Sequence, residues 1–329
     1  MSGTDSISDS VPNLQHLTAL YTFLHVAGGL VGLPIIIATV LLSRHASRHP
    51  TMINLFISLF IYSLSYLLLI FGRQQEEQFD PAGKPSALCQ AQQALVHGAP
   101  TMASTAGLVV VIQMWNTFRT PHSPITITNY AWWPHSAGLT FSLALPYVVF
   151  VAYTIASAVL GAKYPETVNA SNGLYCTILK DPFRHYAVPG YTAVALLFVI
   201  IFEVLAGIKL YKSWTSISRM FPMARRQTTI YMFTRVVIFN VYSIITLSAS
   251  AIFLADALSA WPYFVQAGLP LAAVVVFGTQ KDLLQAWRIL SVDTKHSILS
   301  SQASLAIPSA RPRDLTVISV TTETRSERV

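Results

Sequence analysis

The sequence predicts an all-α membrane protein, a seven-transmembrane helix bundle with its N-terminus outside and a short amphipathic eighth helix. Three observations predict this. Seven stretches are long and apolar enough to cross a bilayer, where a spanning helix needs about 20 apolar residues. Charged residues make up only 11% of the 329-residue chain and gather between those stretches. The chain has just two cysteines, placed so that both fall on one side of the membrane.

Walking between charges finds the spans. No Asp, Glu, Lys or Arg occurs between Asp9 and Arg44, Arg48 and Arg73, Lys84 and Arg119, Arg119 and Lys163, or Asp256 and Lys281. The gaps from Arg184 to Lys209 and Arg226 to Asp256 are broken once each, by Glu203 and Arg235. The expected helices are Leu17–Leu42, Thr51–Phe71, Ala87–Phe118, Ser136–Leu160, Ala187–Tyr211, Thr228–Ala255 and Trp261–Thr279. Pro121, Pro124 and the Trp132-Trp133-Pro134 run predict a loop and an interfacial anchor before the fourth. Pro34, Pro146 and Pro270 are expected to kink their helices. Residues 1–16 form the outer terminus and 17–279 the transmembrane domain. Residues 281–290 put Leu283, Leu284, Trp287 and Leu290 on one face, as in a helix lying along the membrane surface. The Ser- and Thr-rich tail from 291 to 329 is expected to be disordered.

The net charge of +7 invites a nucleic-acid reading, but the basic residues flank the spans. With the N-terminus outside, 15 of the 21 Lys and Arg fall on the cytoplasmic side, as the positive-inside rule requires. Two further signals agree with that orientation. Asn169-Ala170-Ser171 is a glycosylation sequon, usable only on the lumenal side. Cys89 at the start of helix three and Cys176 in the loop after helix four both fall outside, where an oxidising compartment lets them pair. The alternative is two unrelated thiols.

Seven helices, an outer N-terminus, a cysteine opening helix three with another in the second outer loop, and a surface helix after helix seven resemble a G protein-coupled receptor. Rhodopsin-like motifs are missing: helix three ends in Trp115-Asn116-Thr117-Phe118-Arg119, and helix seven reads Val274-Val275-Val276-Phe277-Gly278 in place of Asn-Pro-x-x-Tyr. Phe277-Gly278-Thr279-Gln280-Lys281-Asp282, with Trp287 beyond it, is similar to the end of helix seven in fungal pheromone receptors of the a-factor-sensing type. Thr234-Arg235-Val236-Val237 is faintly similar to their sixth helix. The resemblance implies a plasma-membrane sensor of an extracellular ligand that signals to a heterotrimeric G protein. A lipid or solute transporter is the alternative. An enzyme, a cofactor or a metal is not expected, because no set of His and carboxylate ligands converges at one depth.

Gln93, His97, Thr101 and Ser104 form a polar stripe on the outer half of helix three. It lines either a ligand pocket or an interhelical contact, since polar groups at that depth must face protein or water. Tyr62, Tyr66 and Gln266 are expected to line the same pocket. Glu203 and Arg235 are expected at matching depth on neighbouring helices, as an ion pair that holds helices five and six together. Asn54, Ser58 and Asn240 read as interhelical glue. Arg219, Arg225 and Arg226 form a basic inner surface for a G protein or for anionic lipid.

Overall fold

The computed structural model describes residues 14–42, 49–72, 85–119, 132–170, 172–178, 186–217, 233–246, 248, 260–280, 283, 284 and 287. Arg219, Arg225, Arg226, Ser171 of the sequon and the tail lie outside the described residues, as do residues 228–232, 247 and 249–255 of the expected sixth helix.

The described chain is mostly helical: α1 (Thr18–His25), α2 (Leu33–Leu42), α3 (Pro50–Phe71), α4 (Ala87–Arg119), α5 (Trp132–Lys163), α6 (Val188–Ile217), α7 (Phe233–Thr246), α8 (Trp261–Ala267) and α9 (Leu269–Gly278). Five helical stretches are long and apolar enough to cross a membrane: Gln15–Leu42, Pro50–Phe71, Ala87–Asn116, Gly138–Lys163 and Val188–Lys209. The α8–α9 pair makes a sixth if it is one broken span, and α7 is a shorter apolar helix. This is a multi-pass architecture suited to a lipid bilayer. On α5, Phe141, Val148, Val151, Ile155 and Val159 are exposed. Their seven-, three- and four-residue steps fall on one helical face, which suits lipid contact.

Helix α4 is the central element and packs on α3, α5 and α6. Small residues let the helices meet closely. A Cβ on Gly98 would stand 2.4 Å from Thr154 Oγ1 on α5. One on Gly28 would stand 2.4 Å from the Leu271 backbone nitrogen on α9.

The first span is interrupted by a π-helical segment, Val26–Gly32, that joins α1 to α2. Pro34 stands two residues past its end; a proline lacks the N–H that an unbroken α-helix gives to the carbonyl four residues back. The expected single helix seven is corrected to two helices bent by 41° at Gly268. Here Pro270 has no N–H for the Gln266 carbonyl. Tyr62 Oη of α3 donates to that carbonyl at 3.3 Å, and Tyr242 Oη of α7 donates to the neighbouring Val265 carbonyl at 2.9 Å. Backbone groups released inside a membrane need such partners. The interfacial loop expected at Trp132-Trp133-Pro134 is also corrected, because α5 already begins at Trp132. Proline is tolerated in a first turn, where the N–H lacks an intrahelical partner anyway.

Between α5 and α6 a small hairpin pairs Val168 with Ile178 and Asn169 with Thr177, antiparallel. Asn172 Oδ1 accepts the N–H groups of Leu174 and Tyr175 at 2.9 and 3.1 Å, and Gly173 takes φ 71°. The Cys89–Cys176 disulfide fastens this hairpin to α4, with the Cα atoms 5.3 Å apart.

Past α9, Leu283 is buried in the core and lines one small void with Ile36, Val40, Met52, Phe56 and Phe277. Trp287 Nε1 donates to Thr39 Oγ1 at 2.8 Å. The apolar side chains expected along the membrane surface therefore pack on the bundle at these two positions. The burial gained against α2 and α3 favours this arrangement.

Candidate functional site

A cavity of about 90 Å³ lies within the bundle. Leu59 and Tyr62 of α3 line it, with Pro100, Ala103, Ser104 and Gly107 of α4. Thr192, Leu196 and Val199 of α6 form a second wall, and Phe239, Asn240, Ser243 and Thr246 of α7 a third. Gln266 and Leu269 from the α8–α9 break complete it. No charged side chain lines this space among the described residues.

Of the six expected ligand-lining residues, the structure brings Tyr62 and Gln266 to the cavity. Tyr66 lies beside it, and its hydroxyl accepts Gln266 Nε2 at 2.7 Å. Gln93, His97 and Thr101 line no part of it. Gln93 Nε2 donates to Ser157 Oγ and the Ser157 carbonyl at 2.6 and 3.0 Å, joining α4 to α5. His97 Nδ1 donates to the Gln93 carbonyl at 2.7 Å, and Thr101 Oγ1 to the Gly98 carbonyl at 2.8 Å. The lining residues of α4, at 100, 103, 104 and 107, run beside the expected stripe and share only Ser104 with it.

The expected Glu203–Arg235 ion pair is corrected as well. Arg235 Nη1 donates to the Val276 carbonyl and to Thr279 Oγ1 at 3.0 Å, and Nη2 to the Thr279 carbonyl at 2.9 Å. These carbonyls belong to the last turn of α9, which lacks intrahelical donors and carries the negative end of the helix dipole. Glu203 accepts the side-chain N–H of Asn240 instead. Asn240 lies five residues beyond Arg235, about 7.5 Å along α7 and about 140° around it. One helix thus turns its arginine to α9 and its asparagine to α6.

The cavity's neighbourhood on the disulfide side is aromatic. His25 is buried and stacks on Tyr66 with ring centroids 5.5 Å apart, while Tyr21 meets it edge-on at 4.8 Å. Tyr175, next to Cys176, packs against both Tyr66 and Tyr21. Gln92 secures this layer: Nε2 donates to the Tyr66 carbonyl at 2.9 Å, and Oε1 accepts the Cys176 N–H at 3.0 Å.

Sequence reasoning missed Gln92, Asn240, Ser243 and Thr192 as site residues. A signal existed for three of them. Asn240, Ser243 and Thr246 recur every three residues through an apolar span and so share one helical face. Gln92 follows Cys89 by three residues and shares its face. Of the other expected glue residues, Asn54 joins α3 to α5, its Nδ2 donating to the Leu143 carbonyl and its Oδ1 accepting Tyr147 Oη at 2.6 Å, whereas Ser58 Oγ donates within α3 to the Asn54 carbonyl. No family model matches the sequence, and no curated protein is significantly similar to it.

Proposed function

We propose that this protein is a seven-helix receptor, similar to G protein-coupled receptors, which senses a small extracellular ligand and signals to a heterotrimeric G protein. The observation that supports the reading is the cavity, whose walls come from α3, α4, α6, α7 and the α8–α9 break. Its occupant touches α6 and α7 together. The chain between those helices carries Arg219, Arg225 and Arg226, the surface that would meet the G protein. A change in α6–α7 spacing therefore reaches that segment through the backbone alone. In this reading the N-terminus is outside the plasma membrane and the disulfide hairpin faces the outside. Asn169, on that hairpin, is then open to glycosylation.

Reconstitution in nanodiscs with a heterotrimeric G protein tests the proposal. The chain should accelerate nucleotide exchange on Gα above empty nanodiscs, and small neutral alcohols should change that rate. An exchange rate indistinguishable from empty nanodiscs under every condition would sink it.

One observation favours a transporter as the second reading. The first and last described spans are both interrupted, and the π segment packs on α9 near its break. Discontinuous helices in contact are a feature of transporter sites. Scrambling of a fluorescent lipid in proteoliposomes, faster than in protein-free vesicles, would support it over the receptor.

A further inference from the structure

The serine, threonine and Tyr62 hydroxyl donors around the cavity are already engaged, as is one of the two N–H groups on each of Asn240 and Gln266. Ser104 Oγ donates to the Thr101 carbonyl at 3.0 Å, Ser243 Oγ to the Phe239 carbonyl at 3.1 Å, and Thr192 Oγ1 to the Pro189 carbonyl at 2.9 Å. Tyr62 Oη is committed to the Gln266 carbonyl, and Gln266 Nε2 to Tyr66 Oη. Asn240 gives its amide N–H to Glu203. A hydroxyl that donates keeps its lone pairs, and an amide whose nitrogen is engaged keeps its carbonyl oxygen. The cavity therefore offers acceptors on three sides, from α4, α6 and α7, against apolar walls of Leu59, Leu196, Val199 and Leu269.

From this geometry we infer that the cavity binds a small neutral molecule with an apolar body and a hydrogen-bond donor, an aliphatic alcohol being the simplest case. An acceptor-only ligand has only the second amide N–H of Asn240 or Gln266 to replace its bonds to water, and it leaves the acceptors of the other walls unused. A carboxylate needs several donors and a cation that the described lining does not supply, so it bears the cost of burying an unpaired charge. An ammonium would find lone pairs but no carboxylate among the described lining residues, Glu203 standing outside them on the far side of its bond to Asn240. The volume of about 90 Å³ exceeds the roughly 10–15 Å³ that one water needs on a comparable measure, so a body of several heavy atoms fits. This inference rests on the receptor reading because it names the occupant of the same cavity.

The test uses the chain's own cysteine inventory. Its only two cysteines are joined in the disulfide, so a cysteine introduced by Ser243→Cys is the only thiol. Its modification by methyl methanethiosulfonate is followed by mass spectrometry in nanodiscs. Increasing 1-hexanol should slow the reaction at least threefold, at a concentration at least fivefold lower than its isomer methyl pentyl ether requires. Hexanoate and hexylammonium should not slow it. Val204→Cys, on an exposed face of α6, should react at the same rate with and without hexanol. If Ser243→Cys fails to fold, Ser104→Cys on the opposite wall replaces it. Equal protection by the ether overturns the inference, as does protection by hexylammonium or hexanoate matching that of hexanol. So does equal slowing at Val204→Cys, or no protection at all. Occupancy is read without any signalling step. Hexanol protection with no effect on Gα would therefore refute the receptor and leave this site standing.

Discussion

Asn240 donates its amide N–H to the Glu203 carboxylate, and this bond joins α7 to α6 beside the cavity. It replaces the Glu203–Arg235 pair that charge counting favours, and it divides the two charges between different neighbours. Arg235 serves the end of α9, while Glu203 serves the α6–α7 seam.

A double-mutant cycle separates these contacts. Glu203→Gln with Arg235→Gln should be additive within about 0.5 kcal/mol, because the side chains share no contact. Glu203→Gln with Asn240→Ala should couple by about 0.5–3 kcal/mol. Thermal unfolding in detergent measures both cycles. Strong coupling of the first pair would restore the ion-pair assignment.

The Cys89–Cys176 disulfide closes a loop with a sequence separation of 87. The chain-entropy estimate for such a loop is about 4–5 kcal/mol. That is an upper bound here, since a membrane holds the helices of the unfolded chain. Cys176→Ser and a reducing agent should each lower the melting temperature of the purified protein, and the two should not add. A reductant effect that persists in Cys176→Ser would contradict the pairing.

Close approach makes Gly28 intolerant. A Cβ there would meet backbone atoms of Leu271 and Pro270 at 2.4 to 2.8 Å, and backbone cannot swing aside. Gly28→Ala should cost about 1–3 kcal/mol, the range for overpacking. Gly190 on α6 has nothing within 4 Å of such a Cβ. Gly190→Ala should be neutral or stabilising by up to about 1 kcal/mol. Paired melting curves of the two variants check this contrast.

His49 caps α3 just before the span. Its Nδ1 accepts the Thr51 N–H at 3.4 Å and lies 2.8 Å from Thr51 Oγ1. Burial lowers its pKa below the usual 6.5. Above about pH 6.5 the ring is neutral in both folded and unfolded chains, and it contributes no pH dependence. As pH falls below that value the unfolded chain takes the proton first, so stability declines until pH passes below the folded pKa. The melting temperature should drop between pH 7.5 and 5.5. His49→Asn, which can cap without titrating, should flatten part of that slope. An unchanged slope in His49→Asn would assign it to other groups.

Trp287 and Thr39 join the segment after α9 to α2. Thr39→Val keeps the shape and removes the acceptor, so it should cost about 1 kcal/mol, while Trp287→Ala should cost about 3–5 kcal/mol through lost packing. Tryptophan emission should shift to the red in Thr39→Val if the indole loosens, and remain unchanged if the contact carries no weight.

The sequence by itself determined the membrane class, the helical content and the two cysteines that meet. Each follows from local quantities: apolar length against bilayer thickness, and backbone groups that must pair within their own helix. It also singled out Tyr62 and Gln266, because polar side chains at membrane depth need protein partners. Tertiary structure alone decided which partners those are. A helical stripe points only within a sector, so Gln93 and His97 turned to interhelical and local bonds while Pro100, Ala103 and Gly107 faced the cavity. Depth counting placed Glu203 beside Arg235, but about 140° of rotation along α7 gave Glu203 to Asn240 instead. The break at Gly268 was legible only as a proline. That its freed carbonyl would hold Tyr62 at the cavity wall depended on a helix 204 residues away in sequence. Such contacts are set by how helices rotate and cross, which side-chain packing fixes and no local pattern records.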